Sequence, residues 1–598
     1  ALALALALAP ASAPSFSLPP SASPIVAGGP STPLLAAERV LLHEALVIDT
    51  SNSHASRNCA LYVTNHRIIL ESHAQPELSA HVLNVIAVSR VRRAHVERSR
   101  VRQHGGQPLE IQISLICRMG ARPALRIEAS ESLVNRLYEL IRFLRTQCTV
   151  PHSFACEYAA ALQGSGDEGW GVYDYGAEFH RQGLLNPLSC WRVCESNRNY
   201  TLCPSYPPSL VVPKAISDQA VAASAAFRSS RRFPALCWKD PCSFASITRA
   251  GQPLVGIKGQ RSREDEALLS ALLDTNPESE TLAIIDCRPR LNAEANMING
   301  KGYENAANYP RTALRFMDIQ NIHVMRDSMR RLLGALEARE EGAGEWLKDL
   351  AASGWLEHVQ AVLRGSRAVV DHIAEHRSVL VHCSDGWDRT SQITALAQLQ
   401  LDPYYRTLRG FAVLVEKEWL SFGHCFAQRY GSHVHSAHQS DGSPSNPPAP
   451  VPEDQQSPVF VQFVDAVWHL TLSFPRAFEF SQLFLAKVLE HVFSGRYGTF
   501  LLDTHAARHQ NGLPQRTRSL WSDLLDAPAE RGLVNPWYAP VQGTLPLSAS
   551  DLSGCALEVF KAYYCRGPWA VDPRDVRAMA EESLSRSPCA ARGGSSWD

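Results

Sequence analysis

No apolar run in this chain approaches the roughly 18–20 residues that a bilayer-spanning helix requires, so no membrane span is expected. The formal net charge is only −1, which leaves no global field to draw the chain to nucleic acid or membrane. Any attraction to a membrane has to come from local patches. No CxxC pair occurs among the 15 cysteines. Cys190 and Cys194 stand four apart and Cys237 and Cys242 five apart, so no zinc module is expected. An odd, scattered set in so long a chain fits free, mostly buried thiols in a reducing compartment. The opening ALALALALAPASAPSFSLPPSASP has no basic segment ahead of its short apolar run, so a secretory signal is not expected either. Near the C-terminus there is no heptad run for a coiled coil. What is present is ordinary for a globular protein: 45% apolar and 20% charged residues over 598 positions, more than one core can use.

The informative segment is short. His382-Cys383-Ser384-Asp385-Gly386-Trp387-Asp388-Arg389 sets a cysteine and an arginine six positions apart, with a strand-like run (378–381) before and a helix-like run (390–399) after. A turn between strand and helix points backbone amides inward as an anion nest, and the helix N-terminus adds partial positive charge. Gly386 accepts backbone angles that other residues resist. Arg389 closes the ring and can grip two phosphate oxygens with its planar fork. A thiol in such a field is expected to be held as the thiolate and to attack phosphorus, giving a cysteinyl-phosphate that water hydrolyses. The bland alternative is a buried cysteine beside an unrelated arginine. The flanking strand and helix argue against it.

The octet followed by Thr390 resembles the signature of the myotubularin family, lipid phosphatases of the cysteine-dependent class. Stretches 253–257, 261–266, 318–326, 404–411, 416–424, 457–463 and 474–480 resemble the same family, and the likeness runs from about 41 to 564. It implies a multidomain chain: a mostly-β PH/GRAM-like domain with a C-terminal helix, then an α/β domain like that of protein tyrosine phosphatases. We expect a disordered tail at 1–36, the PH-GRAM-like unit at 37–149, a connector at 150–230, the phosphatase at 231–565 with a flexible insertion at 431–456, and a polar tail at 566–598.

Local patterns fit this plan. Residues 59–70 read as strand, turn at Thr64-Asn65, and strand; 109–115 alternate as a half-buried strand does. Leu133, Val134, Leu137, Leu140, Ile141 and Leu144 recur on one helical face. Arg90, Arg92, Arg93, Arg98, Arg100 and Arg102 crowd one segment, either as a contact for anionic membrane or as a solvated loop. Buried strands are expected at 281–286 and 379–381, and helices at 264–273, 325–336, 355–375 and 473–493, alternating as in an α/β core.

The resemblance implies hydrolysis of the D3 phosphate of phosphatidylinositol 3-phosphate and of its 3,5-bisphosphate, with no cofactor and no metal. Departure of an inositol oxygen needs a proton donor. By resemblance that acid lies within the cysteine loop: Asp388 first, Asp385 second and a candidate water-orienting base, with a structural carboxylate bonding loop amides as the alternative for either. His382 supports the thiolate or is a core histidine; Trp387 rims the pocket or packs in the core. Ser384 and Gly386 complete the phosphate cup. Asn296, Asn321 and Ile322 match positions where the family holds the inositol head group. After His424 the family often carries two arginines four apart. Here they are Cys425 and Arg429, so one charge-assisted contact is missing and the monophosphate is the expected preference. The expected partners are a phosphoinositide, a peripheral membrane surface on endosomes reached from the cytoplasm, and other copies of this chain or of the family, with no nucleic acid. A catalytically silent scaffold and a phosphotyrosine or dual-specificity phosphatase are the competing readings. The presence of Cys383, Asp388 and Arg389 argues against the first, and the two loop carboxyls with the GRAM-like unit argue against the second.

Overall fold

The structure, a computed structural model, describes residues 34–35, 38–49, 56–72, 81–84, 88–95, 110–117, 125–146, 150–162, 167–340, 345–432, 434, 451–545, 547 and 557–564. Among the described residues, seven antiparallel strands come first. β1 (Val40–Asp49), β2 (Ser56–Thr64), β3 (Arg67–Ser72) and β4 (His81–Asn84) form one sheet in chain order; β5 (Val88–His95), β6 (Glu110–Cys117) and β7 (Leu125–Ser130) form another. The turn expected at Thr64-Asn65 joins β2 to β3, with Thr64 Oγ1 accepting from the Arg67 N–H at 2.7 Å. The helix Glu131–Thr146 buries Leu133, Val134, Leu137 and Ile141, as its periodicity requires. Arg90, Arg92 and Arg93 fall on β5; Arg98, Arg100 and Arg102 lie outside the described residues, as do the expected C-terminal tail, all of the expected N-terminal tail but residues 34–35, and most of the insertion.

The phosphatase unit is built on a five-stranded sheet. β10 (Ala235–Lys239), β11 (Ser246–Ala250), β14 (Val379–His382), β12 (Leu282–Asp286) and β13 (Thr312–Phe316) lie in that order, with only β10 antiparallel. Parallel strands need helical crossovers, and these cover both faces. Val379 and Val381 of β14, with Ala283 and Ile285 of β12, face a core shared with the helices Ile322–Glu340 and Trp355–Ala374. Leu380, Leu282 and Ile284 face the other way, against Leu269, Leu272 and Leu273 of the helix Arg263–Asp274. Both faces of β14 are therefore dry, which is why its sequence reads as an unbroken apolar run. In register, Ala250 and Asp286 pair with His382, so β11, β12 and β14 end together at one edge of the sheet. Ligands of open α/β sheets bind outside that edge.

Two expectations need correction. The stretch 150–230 is not a connector. It carries the helices Phe154–Ala161, Tyr175–Arg181 and Asp218–Phe227 and a hairpin of β8 (Trp191–Cys194) and β9 (Leu210–Pro213), whose side chains fill the same cores. Its prolines suggested irregularity, but the buried Asn197 amide ties the turn down by donating to Cys203 O, Tyr206 O and Pro207 O. The helix expected over 473–493 is displaced. Val459–Ser473 and Gln482–Val492 are separate helices, the second capped by Ser481 Oγ, which accepts from Phe484 N–H.

Candidate active site

Cys383 begins the turn that follows β14, and the helix Arg389–Leu401 starts directly after it. That helix is buried along its whole length from Thr390 onward, so its N-terminus is fixed rather than free to drift. Gly386 lies at φ +80°, and a Cβ there would come within 2.3 Å of Ala250 O, so no other residue fits without moving β11. The Gly386 N–H points at Cys383 Sγ from 3.3 Å, and the thiol is 2% exposed.

The turn is held from outside by its carbonyls. Gln252 N–H donates to Ser384 O at 3.0 Å. Arg232 and Arg249 both donate to Gly386 O, at 2.9 and 2.7 Å. Ser391 Oγ–H donates to Trp387 O at 3.1 Å, and His424 Nδ1 lies 2.9 Å from the same oxygen. In a trans peptide the C=O and the next N–H point in opposite directions. Each carbonyl drawn outward therefore turns the amide of Asp385, Trp387 or Asp388 toward the opposite side, where an anion would sit. Arg249 is balanced by Glu418, with 2.8 Å between Nη1 and Oε2. Among the described residues, Arg232, fully buried, meets carbonyls, a hydroxyl and the rings of Tyr206 and Trp387, and no carboxylate lies in ion-pair contact with it. Its charge lies directly beneath the turn.

Beneath Cys383, His382 Nε2 stands 3.0 Å from Glu304 Oε2, in ion-pair contact though out of hydrogen-bond alignment. Arg228 donates to Glu304 Oε1 at 2.6 Å and to both oxygens of Asp265. Burial alone would make His382 shed its proton; Glu304 and then Asp286 outweigh it and raise its affinity for one. Burial would raise the Glu304 carboxyl, but His382 and Arg228 hold it well below the usual carboxylate range.

The two loop carboxylates differ. Asp388 is 8% exposed and takes Arg429 with both oxygens, Nε to Oδ1 at 3.0 Å and Nη2 to Oδ2 at 2.8 Å, while His424 Nδ1 lies 3.2 Å from Oδ1. Burial would raise its carboxyl; Arg429 and His424 overrule it and keep it far below the usual range. Asp388 is thus an anion here, not the ready proton donor expected from the sequence. Asp385 is half-exposed, accepts from Ser229 Oγ–H at 2.7 Å and lies 3.9 Å from Lys301 Nζ.

The remaining expected residues fall around this cup. Arg389 donates to Ile319 O at 3.1 Å and to Ser384 Oγ at 3.3 Å, so its fork lies along the loop. Asn296 Nδ2 reaches Gln252 Oε1 at 3.3 Å, and Gln252 in turn touches the turn at Ser384. Asn321 caps the helix Ile322–Glu340, its Oδ1 accepting from His323 and Val324 N–H, so its side chain is committed locally. Ile322 is half-buried, and its carbonyl accepts from Ser457 Oγ–H. Trp387 is half-buried with the Arg232 guanidinium 5.6 Å from its ring centre. Cys425 is 7% exposed; burial and then Asp503 push its thiol well above the ordinary range, so it supplies no charge in place of an arginine. Arg232, Arg249, Gln252, Ser229, Lys301 and Glu304 were not foreseen. Each reaches the loop from a distant part of the chain, and none has a local spacing that marks it.

Residues 153–509 match the description "Myotubularin-like phosphatase domain". The chain belongs to the myotubularin-like phosphatase family. Among its relatives, this myotubularin-like chain is 43% identical over 401 residues to Myotubularin of Xenopus laevis, covering 67% of this chain and 63% of that protein. It is 42% identical over 423 residues to Phosphatidylinositol-3,5-bisphosphate 3-phosphatase MTMR2 of Bos taurus, covering 71% and 62%. To Phosphatidylinositol-3-phosphate phosphatase MTMR7 of Mus musculus it is 40% identical over 427 residues, covering 70% and 61%. The matched stretch spans less than two thirds of the length of each of these relatives.

Proposed function

We propose that the chain is a phosphoinositide 3-phosphatase acting through a cysteinyl-phosphate. The observation that carries this reading is the cup of residues 383–389 at the C-terminal edge of β14, its carbonyls drawn outward and its amides turned inward above a thiol. Relatives named for removal of a 3-phosphate from inositol lipids support the substrate class.

The D3 phosphate settles among the amides and takes the Arg389 fork. Cys383 Sγ attacks phosphorus; the inositol oxygen departs and takes a proton. Asp388 supplies that proton after a change in its pairing. A head-group phosphate that draws Arg429 away removes the strongest of the influences that oppose burial, leaves only His424 against it, and so raises the carboxyl's affinity for a proton. Substrate binding and acid competence are thereby linked through Arg429. Asp385, on the open side with Ser229 and Lys301, orients the water that hydrolyses the phosphocysteine. Because Cys425 offers no cation, phosphatidylinositol 3-phosphate is turned over faster than the 3,5-bisphosphate at matched surface concentration. Equal or faster turnover of the bisphosphate would contradict this.

Two antiparallel sheets followed by a helix support a PH-GRAM-like reading of residues 37–149. That unit is the proposed contact with anionic endosomal membrane from the cytoplasmic side.

The test is phosphate release by the full chain from short-chain phosphatidylinositol 3-phosphate against a phosphotyrosine peptide. Preference for the lipid, lost in Cys383→Ser, is expected. Preference for the peptide would replace the lipid reading with a protein phosphatase, and no release from either would favour a silent scaffold.

A further inference from the structure

One buried nucleophile beside the cup has no part in this mechanism. Cys287 directly follows β12, as Cys383 directly follows β14. The preceding residues, Asp286 and His382, are register partners in parallel strands, and Cys287 N–H donates to His382 O at 2.9 Å. The two cysteines are therefore neighbours across adjacent strands, which lie about 4.7–4.9 Å apart. That separation lies within the roughly 4.4–6.8 Å that a disulfide spans. Side chains alternate along a strand, so both thiols project to the face occupied by Ile285 and Val381, and both belong to that one core cluster. Both are free thiols, Cys287 0% and Cys383 2% exposed. Burial first, and then the nearby charge of Cys383, push the Cys287 thiol well above its ordinary range. It stays protonated and does not compete for phosphate.

We propose that Cys287 is a resolving thiol, which closes a disulfide with Cys383 when hydrogen peroxide oxidises the nucleophile. This rests on Cys383 being the reactive sulfur of the site, as in the reading above. The Cys383 thiolate attacks one peroxide oxygen; the O–O bond breaks and hydroxide leaves, becoming water with a solvent proton. Cys383 is now a sulfenic acid. Cys287 sulfur attacks Cys383 sulfur; the S–S bond forms, the S–O bond breaks, and the departing hydroxide takes the Cys287 proton as water. Two thiols have lost two electrons and one peroxide has become two waters. The disulfide blocks attack on phosphorus, shields Cys383 from irreversible oxidation to sulfinic and sulfonic acids, and is reopened by a dithiol.

Cys425 is the rival partner beside the loop. The charged groups near it are Asp503, Arg429, Asp388 and Arg232.

The test treats the full-length protein with graded hydrogen peroxide, blocks free thiols, and maps linked tryptic peptides by mass. A Cys287–Cys383 link is expected in wild type, reversed by dithiothreitol. In Cys287→Ala the same dose should convert Cys383 to its sulfinic or sulfonic acid, with at least about fivefold less activity recovered after dithiothreitol than in wild type. Wild type giving Cys383 sulfinate without the link, or a link from Cys383 to Cys425, would overturn the inference, and this mapping decides even if the variant fails to fold. Peptide mapping needs no turnover, so a link found in a protein that releases no phosphate from the lipid would sink the lipid reading and leave the resolving role intact.

Discussion

Asp385 and Asp388 stand three residues apart in one turn, yet the two sides of the loop they occupy are built differently. The Asp388 side is buried: Arg429 holds the carboxylate in a two-point grip, the His424 ring lies behind, and the Arg249–Glu418 pair lies beneath. On the Asp385 side a hydroxyl and a distant lysine face an open rim. Removing one member of a buried pair costs about 3–5 kcal/mol, whereas exposed pairs are worth about 1 kcal/mol or less. The dry side can therefore store a strong preference in one charge state and release it when substrate changes the partner. The open side can only tune the position of water.

That contrast sets the order of expected effects. Asp388→Asn should lower kcat/KM on the lipid by roughly 10²–10⁴, the range for losing a positioned acid. The loss on p-nitrophenyl phosphate, whose leaving group needs no proton, should be far smaller. Equal losses on both would mean that the carboxylate only holds Arg429. Arg429→Gln should cost about 1.5–3 kcal/mol in kcat/KM on the lipid, seen mainly as a raised KM. It should also shift the acidic pH limb, because Asp388 then loses the cation that keeps it ionised. An unchanged pH profile would disconnect Arg429 from the acid. Asp385→Asn should leave melting temperature unchanged and cost about tenfold or less; a loss as large as that of Asp388→Asn would reverse the assignment.

The smallest effect on activity belongs to Glu416→Gln, a half-buried residue away from both sides. Trp521 Nε1–H donates to Glu416 Oε1 at 2.7 Å, and burial raises this carboxyl from 4.5 to about 7 despite Trp521 and Arg508. The folded state therefore holds a proton between those pH values that the unfolded chain has lost. Relative to the Gln variant, wild type should lose up to about 3 kcal/mol of stability as pH rises from 4.5 to about 7, and nothing further above. The Gln variant lacks this contribution but keeps that of Asp465, which burial also raises to about 7. Parallel melting curves for the two proteins across that window would refute the account of Glu416.

The sheet was legible because burial writes itself into periodicity. The apolar runs at 281–286 and 379–381 correspond to β12 and β14, and the helix expected at 355–375 to Trp355–Ala374. The cup was legible because its chemistry is local: a thiol, a glycine that only a tight approach to Ala250 requires, and an arginine on the next helix. What holds the cup was not legible. Arg232 and Arg249 meet Gly386 from more than a hundred residues away, and an isolated arginine in sequence looks like any surface charge. The state of Asp388 was missed for the same reason. The family resemblance implied an acid there, but its proton affinity is set by Arg429, a partner that only folding supplies. The connector was misread because prolines mark turns, while the Asn197 bonds that order those turns leave no pattern.

The covalent step can be trapped directly. Acid-quenching the full chain during turnover of phosphatidylinositol 3-phosphate and mapping its peptides by mass should show a phosphoryl group on Cys383 and nowhere else, with none in Cys383→Ser. Steady release of phosphate with Cys383 never carrying the group, or undiminished release by Cys383→Ser, would contradict the account.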